Sequence, residues 1–144
     1  MALILVVDDE PGIRELLSRW IVEAKHEVTE ADSADAALVK MAEQPAAVVF
    51  CDIQMPGHDG IWLTTEIRKR YPATAVVLAT SVDTIAAQTS MQSGVMAYLL
   101  KPFKGTAVVR ALTTALDWHL KAVESGPQPS DAPDKLREWL ESLA

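Results

Sequence analysis

Short apolar runs alternate with longer stretches of helical period along most of the chain, and that alternation leaves few folds open. "LILVV" (3–7) is followed by Pro11 at a plausible helix start and by Ile13, Leu16, Leu17, Trp20 and Ile21 at helical spacing. "HEVTEA" (26–31) reads as a short, more polar strand near an edge. Ser33 or Asp35 can cap a helix that carries Ala37, Leu38 and Met41 and ends at Pro45. "AAVVFC" (46–51) is a third strand, and a helix from about Asp59 to Tyr71 stops at Pro72. "TAVVLAT" (74–80), a helix over "DTIAAQTSMQSG" (83–94), "VMAYLL" (95–100) and a last helix from about Gly105 to Val123 complete the series.

Strands that are apolar on both faces need cover on both faces. Five of them joined by helices therefore imply an α/β fold: a doubly wound parallel sheet with right-handed crossovers. With 144 residues and 49% hydrophobic content, the chain can bury one such core. Residues 1–124 are expected to form that domain. "SGPQPSDAPD" (125–134) then marks a proline-rich linker, taken as 125–133. Residues 134–144 read as a short amphipathic helix with Leu136, Trp139, Leu140 and Leu143 on one face, marginal on its own. It could pack back on the domain, make contacts in a homodimer, or open an output domain.

Composition narrows the function. Twenty acidic against 13 basic residues give a net charge of -7, a surface that repels a phosphate backbone and argues against direct nucleic-acid binding. "ALILVV" has neither the length of a membrane span nor the basic flank of a signal peptide. The single cysteine, Cys51, cannot form an internal disulfide, so the cytoplasm is the expected compartment.

In a doubly wound sheet the ligand site lies beyond the carboxyl ends of the strands. The first strand ends in Asp8, Asp9 and Glu10, the third in Asp52, the fourth in Thr80 and Ser81, and the fifth in Lys101 and Pro102. Crowded carboxylates repel, and either a raised pKa or a cation relieves the cost. A hard, oxygen-ligated ion such as Mg²⁺ suits this set, because it accepts a few carboxylates and keeps waters that a phosphate oxygen can replace. Lys101 adds a second positive charge and Thr80 a donor. A carboxylate can itself attack phosphorus to give an acyl phosphate. Asp52, alone at its strand end, is the best candidate for that role, while the Asp8–Asp9 pair is better suited to the metal.

The stretches "ILVVDDEPGIRELL", "CDIQMPGHDG", "VVLATS" and "AYLLKPF", in this order and spacing, resemble the receiver domain of two-component response regulators across about residues 3–123. The resemblance implies a flavodoxin-like, five-stranded sheet of order 2-1-3-4-5 with helices on both faces. It implies that Asp52 accepts a phosphoryl group from a sensor histidine kinase or phosphotransfer protein in the presence of Mg²⁺. The metal would be bound by Asp9, by Asp8 directly or through water, by Asp52, and by the backbone carbonyl of Gln54. Lys101 would pair with the phosphoryl group after a cis Lys101–Pro102 peptide.

Thr80 and Tyr98 would be the switch pair, changing the face made by the 83–94 helix, the fifth strand and the last helix for a downstream protein or output domain. Only one charged residue stands in the 83–93 helix, which makes it a candidate partner surface. Gln54 and Val82 stand where the family tunes phosphoryl lifetime, and an apolar Val82 points to a longer-lived group.

Beyond self-catalysed uptake and loss of phosphate, no enzyme activity is expected. A haloacid-dehalogenase-type aspartyl-phosphate phosphatase needs a second acid two residues after the nucleophile, where Gln54 stands. A flavodoxin-like electron carrier needs a phosphate loop that "DDEPG" would make repellent. A receiver-like module used only for interaction is a further alternative, disfavoured by the intact Asp8, Asp9, Asp52, Thr80 and Lys101. Cys51, Trp20, Trp62 and Trp118 are expected to supply packing, and His58 to sit in the loop beside Asp52.

Overall fold

The structure, a computed structural model, describes residues 1–80 and 95–126. Ser81, Val82, the helix expected over 83–94, most of the linker and the 134–144 helix lie outside the described residues, as does the side chain of Thr80. The elements are β1 (Leu3–Val7), α1 (Pro11–Glu23), β2 (Glu27–Ala31), α2 (Ala34–Glu43), β3 (Val48–Asp52), α3 (Gly60–Arg70), β4 (Ala75–Thr80), β5 (Val95–Leu100) and α4 (Gly105–Ser125).

The sheet has the order β2-β1-β3-β4-β5, with every neighbouring pair parallel. This is the doubly wound, flavodoxin-like arrangement expected. α1 packs with α4 and α2 with α3, the pairing of a sheet covered on both sides. The central strands carry the core: Ile4 to Val7, Val48 to Cys51 and Ala75 to Ala79 are all essentially inaccessible. Their unbroken apolar runs are what a sheet with no solvent-facing side requires. β2, at the edge, is less buried, and its Glu27 and Glu30 are exposed.

Local signals set the helix ends. Ser33 caps α2 by accepting from the Ala36 N–H, and Asp59 caps α3 by accepting from the Trp62 N–H. Each cap satisfies one amide that the first turn would otherwise leave unpaired. Third-strand pairing starts two residues later than the apolar run suggests and takes in Asp52, whose register partner is Ala79. α4 runs two residues beyond Val123 and is closed by Gly126, at φ 81°. Among the described residues, no helix is long and apolar enough to cross a membrane.

Arg68 ties the amino-terminal pole of the sheet together. Its guanidinium donates to the carbonyls of Pro72 and Thr74 at 2.6 and 2.7 Å and lies 5.3 Å from the centroid of a Trp118 ring on α4. Trp118 is thus packing area, as expected, and so is Trp20, which meets Phe103 edge-on.

Just past α1, Lys25 sits at φ 73°, in the left-handed region that costs a side chain with a Cβ about 1 kcal/mol. Lys25→Gly is therefore expected to stabilise the fold by about 0.5 kcal/mol, the relief of strain being partly offset by the looser unfolded chain. A higher urea midpoint at unchanged slope would register it; an unchanged or lower midpoint would mean the side chain costs nothing there.

Candidate functional site

Three strands deliver the acids and the lysine to one end of the sheet. β1 ends at Val7, so Asp8 follows at once, and its carboxyl is locked in place from several sides. Oδ1 accepts from the Glu10 N–H at 2.9 Å and Oδ2 from the Lys101 ammonium at 2.9 Å. The backbone carbonyl of Asp8 accepts from the Arg14 guanidinium at 2.7 Å. Asp8 is 1% exposed, and buried polar groups need such partners.

Asp52, 4% exposed, is the last residue of β3. Its Oδ1 accepts from the Gln54 N–H at 3.3 Å, and its Oδ2 lies 3.5 Å from Lys101 Nζ. Burial, followed by the charge of Asp8, pushes its carboxyl up to about 6, against the pull of Lys101 and the Gln54 amide. Burial works against the Lys101 charge too, but the hydrogen bond to Asp8 and the charges of Asp8, Asp52 and Glu10 outweigh it and hold the ammonium above its ordinary range. The Lys101–Pro102 peptide is cis, as the resemblance implies.

Asp9 and Glu10 are exposed, and the carboxylate oxygens of Asp8, Asp9 and Glu10 gather within 4.8 Å of one another. This cluster, next to a buried acid whose proton is held unusually tightly, is an excess of hard oxygen donors in need of positive charge. The donor set fits an oxygen-ligated divalent ion such as Mg²⁺.

The turn after Asp52 is built around two close approaches. Gly57 takes φ 80°, and Gly60, the first residue of α3, donates its N–H to the Ile53 carbonyl at 2.8 Å. A Cβ on Gly60 would overlap the Asp52 carbonyl oxygen. Helix α3 therefore rests directly on the backbone of the acid. A recess of about 650 Å³, lined by Ile53, Gln54, Met55, Pro56, Gly57 and Asp59, opens along this loop. On its rim His58 stacks on Trp62 at 3.7 Å and lies 3.3 Å from the Asp35 carboxylate.

The structure thus brings Asp8, Asp52 and Lys101 into direct contact, places Asp9 beside Asp8, and seats Gln54 against Asp52 through its amide. Tyr98, in β5, is buried at 1% exposure. The backbone of Thr80 pairs with Leu100, the neighbour of Lys101. Three contributors had no site role assigned from the sequence: Glu10, whose Oε1 is 3.7 Å from Lys101 Nζ, Arg14 behind Asp8, and Gly60 beneath Asp52. Only the acidic run "DDE" hinted at the first.

Residues 4–113 match the family model for the response regulator receiver domain. Among curated proteins, the response regulator protein FleR of Pseudomonas aeruginosa is 38% identical over 109 residues, covering 75% of this chain and 23% of FleR. The transcriptional regulatory protein AruR of the same organism is 31% identical over 142 residues, covering 95% of this chain and 58% of AruR. The chain therefore spans between about a quarter and somewhat over half the length of these relatives. Among solved structures, the response regulator TrrA of Thermotoga maritima, in complex with Mg²⁺ and BeF, superposes with a TM-score of 0.73 at 33% identity, over 81% of this chain and 100% of TrrA.

Proposed function

Because the chain belongs to the family of response regulator receiver domains, we propose that it takes up a phosphoryl group on Asp52 from the phosphohistidine of a sensor kinase or phosphotransfer protein, with Mg²⁺ as cofactor. The observation that carries this reading is the placement of Asp52: a buried carboxylate at a rigid strand end, 3.5 Å from the Lys101 ammonium.

In the transfer, a carboxylate oxygen of Asp52 forms the new P–O bond as the P–N bond breaks, and the imidazole nitrogen leaves with the electron pair. The negative charge on the phosphoryl oxygens needs neutralising, and the protein's task is mainly positioning. Lys101 supplies one positive charge and is held beside the acceptor by Asp8 and Glu10. Asp8, Asp9 and Asp52, with the Gln54 carbonyl, are the groups that would hold Mg²⁺; when bound, the ion supplies further charge neutralisation at the phosphoryl oxygens. Its binding to TrrA together with BeF supports the assignment of this site.

Thr80 and Tyr98 serve as the switch pair, and the face that includes β5 and α4 carries the signal to a downstream protein, an output domain or a second copy. The chain works in the cytoplasm and has no activity on a separate substrate.

A pH profile tests the chemistry. The nucleophile is the ionised carboxyl, and without metal its proton is lost only near pH 6. At low Mg²⁺, the rate of phosphorylation by acetyl phosphate is expected to be flat above about pH 7 and to fall about tenfold per unit below 6. More Mg²⁺ moves the profile to lower pH, since metal and proton compete for the same carboxylates. A rate indifferent to Mg²⁺, or flat from pH 5 to 7.5, would contradict the proposal.

A further inference from the structure

Lys101 carries its ammonium at the end of a flexible four-carbon stem, so where the charge stands depends on how firmly the backbone beneath it is held. β5 holds that backbone on one side, since Leu100 pairs with Thr80. On the other side runs a short loop, Pro102 to Lys104, before α4 begins at Gly105. Local structure does little to fix this loop. Pro102 and Lys104 are exposed, and Lys104, at the N-cap of α4, makes no side-chain capping bond.

Trp20 of α1 closes on the loop at two points. Its ring meets Phe103 edge-on, with centroids 6.2 Å apart and planes at 60°. Its indole also lies directly against Gly105, where a Cβ would stand 2.9 Å from Cε2 and from Nε1 and 3.3 Å from Cδ1. The same helix holds the lysine's partner. Arg14 donates to the Asp8 carbonyl at 2.7 Å, and the Asp8 carboxylate accepts from Lys101 at 2.9 Å. Arg14 and Trp20 are six residues apart, about 9 Å of helix rise. α1 is thus one rigid bar to which both Asp8 and the Lys101 loop are fastened. A recess of about 550 Å³, lined by Trp20, Ala24, Gly105 and Val109, gives the ring room to turn, so its place against the loop rests on Phe103 and Gly105.

We propose that Trp20 is a positioning residue for phosphoryl transfer, acting through Phe103 and Gly105 to hold the Lys101 ammonium at Asp52. The inference rests on the function proposed above. Lys101 Nζ is 3.5 Å from Asp52 Oδ2, and its side chain is only 14% exposed. Displacing such a group by about 1 Å can cost up to about 100-fold in rate. If Trp20 were packing area alone, its loss would lower stability and leave Lys101 where it stands.

Acylation of lysine amines tests the positioning without any phosphorylation. The full chain is treated with acetic anhydride, and modification of Lys101 relative to Lys121, whose side chain is 69% exposed, is read by peptide mass spectrometry. That ratio is expected to rise about fivefold in Trp20→Ala and about threefold in Gly105→Ala, whose Cβ drives the ring off the loop, and to keep its parent value in Trp20→Phe. Phosphorylation by acetyl phosphate with Mg²⁺ is expected to slow about fivefold in the first two variants and to be retained in the third. Circular dichroism verifies the fold, and Gly105→Ala, which keeps every native side chain, carries the test if Trp20→Ala does not fold. A Lys101 ratio unchanged in the folded variants would overturn this inference alone, as would a raised ratio with the phosphorylation rate intact. A parent chain that takes up no phosphoryl group would overturn the proposed function, and this inference with it.

Discussion

Asp52→Asn is expected to abolish phosphoryl uptake and, in the absence of divalent metal, to make the protein more stable. The first effect follows from loss of the nucleophile. The second follows from the cost of the charge. Burial and Asp8 raise the Asp52 carboxyl from 3.8 to about 6 on folding, so between those values the folded state binds more protons than the unfolded one. Stability therefore falls as pH rises through that window, and above it the ionised carboxylate costs about 1–3 kcal/mol. Asparagine keeps the shape without the charge, while Lys101 retains its 2.9 Å bond to Asp8. Urea unfolding in chelator at pH 7.5 is expected to show the variant ahead by that amount, and at pH below about 4 the gap should close. Adding Mg²⁺ should favour the parent, since a ligand bound only by the folded state stabilises it. A variant less stable than the parent at pH 7.5 in chelator would mean that the Asp52 charge is favourable where it stands.

Gly60→Ala is expected to damage both fold and function, for a purely steric reason. The new Cβ would stand 2.8 Å from Ile53 Cα and 2.9 Å from the Asp52 carbonyl carbon, and would overlap the carbonyl oxygen. All three are backbone atoms of the strand end that carries the acceptor, so relief requires α3 or Asp52 to move. Overpacking of this kind costs about 3 kcal/mol, against a helix propensity that favours alanine by about 1 kcal/mol. Gly12, in α1, is the matched control: a Cβ there meets nothing within 4 Å. Gly12→Ala is expected to be neutral or slightly stabilising, with phosphorylation intact. Equal behaviour of the two variants in urea and in phosphorylation rate would contradict a packing role for Gly60.

The two variants also mark what the sequence could and could not reveal. Strand and helix positions were legible because a parallel sheet demands unbroken apolar runs, and those runs stand out between Pro11, Pro45 and Pro72. Ser33, offered with Asp35 as the cap of α2, was legible because capping is a local interaction, whereas Asp59 was read only as the approximate start of α3. Asp52 was legible as a candidate because an acid that ends a buried strand has no packing role to explain it.

The pairings inside the site were not legible, since Lys101 and Asp8 are 93 residues apart and only the sheet order brings them together. That Lys101 bonds to Asp8 at 2.9 Å and stands 3.5 Å from Asp52 is a matter of geometry that spacing does not encode. The need for Gly60 was not legible, because it lies in a through-space contact with backbone atoms of Ile53 and Asp52, seven and eight positions earlier in the chain. His58 was placed in the right loop, but its stacking on Trp62 and its approach to Asp35 depend on how α2 and α3 pack.

The most direct test of the central claim is to locate the phosphoryl group. The full chain is incubated with acetyl phosphate and Mg²⁺, the acyl phosphate is trapped by borohydride reduction, and the modified residue is mapped by peptide mass spectrometry. Modification of Asp52 alone, absent without Mg²⁺, is the predicted result. A label on Asp8, Asp9 or Glu10 with Asp52 untouched, or no label under any Mg²⁺ concentration, would contradict it.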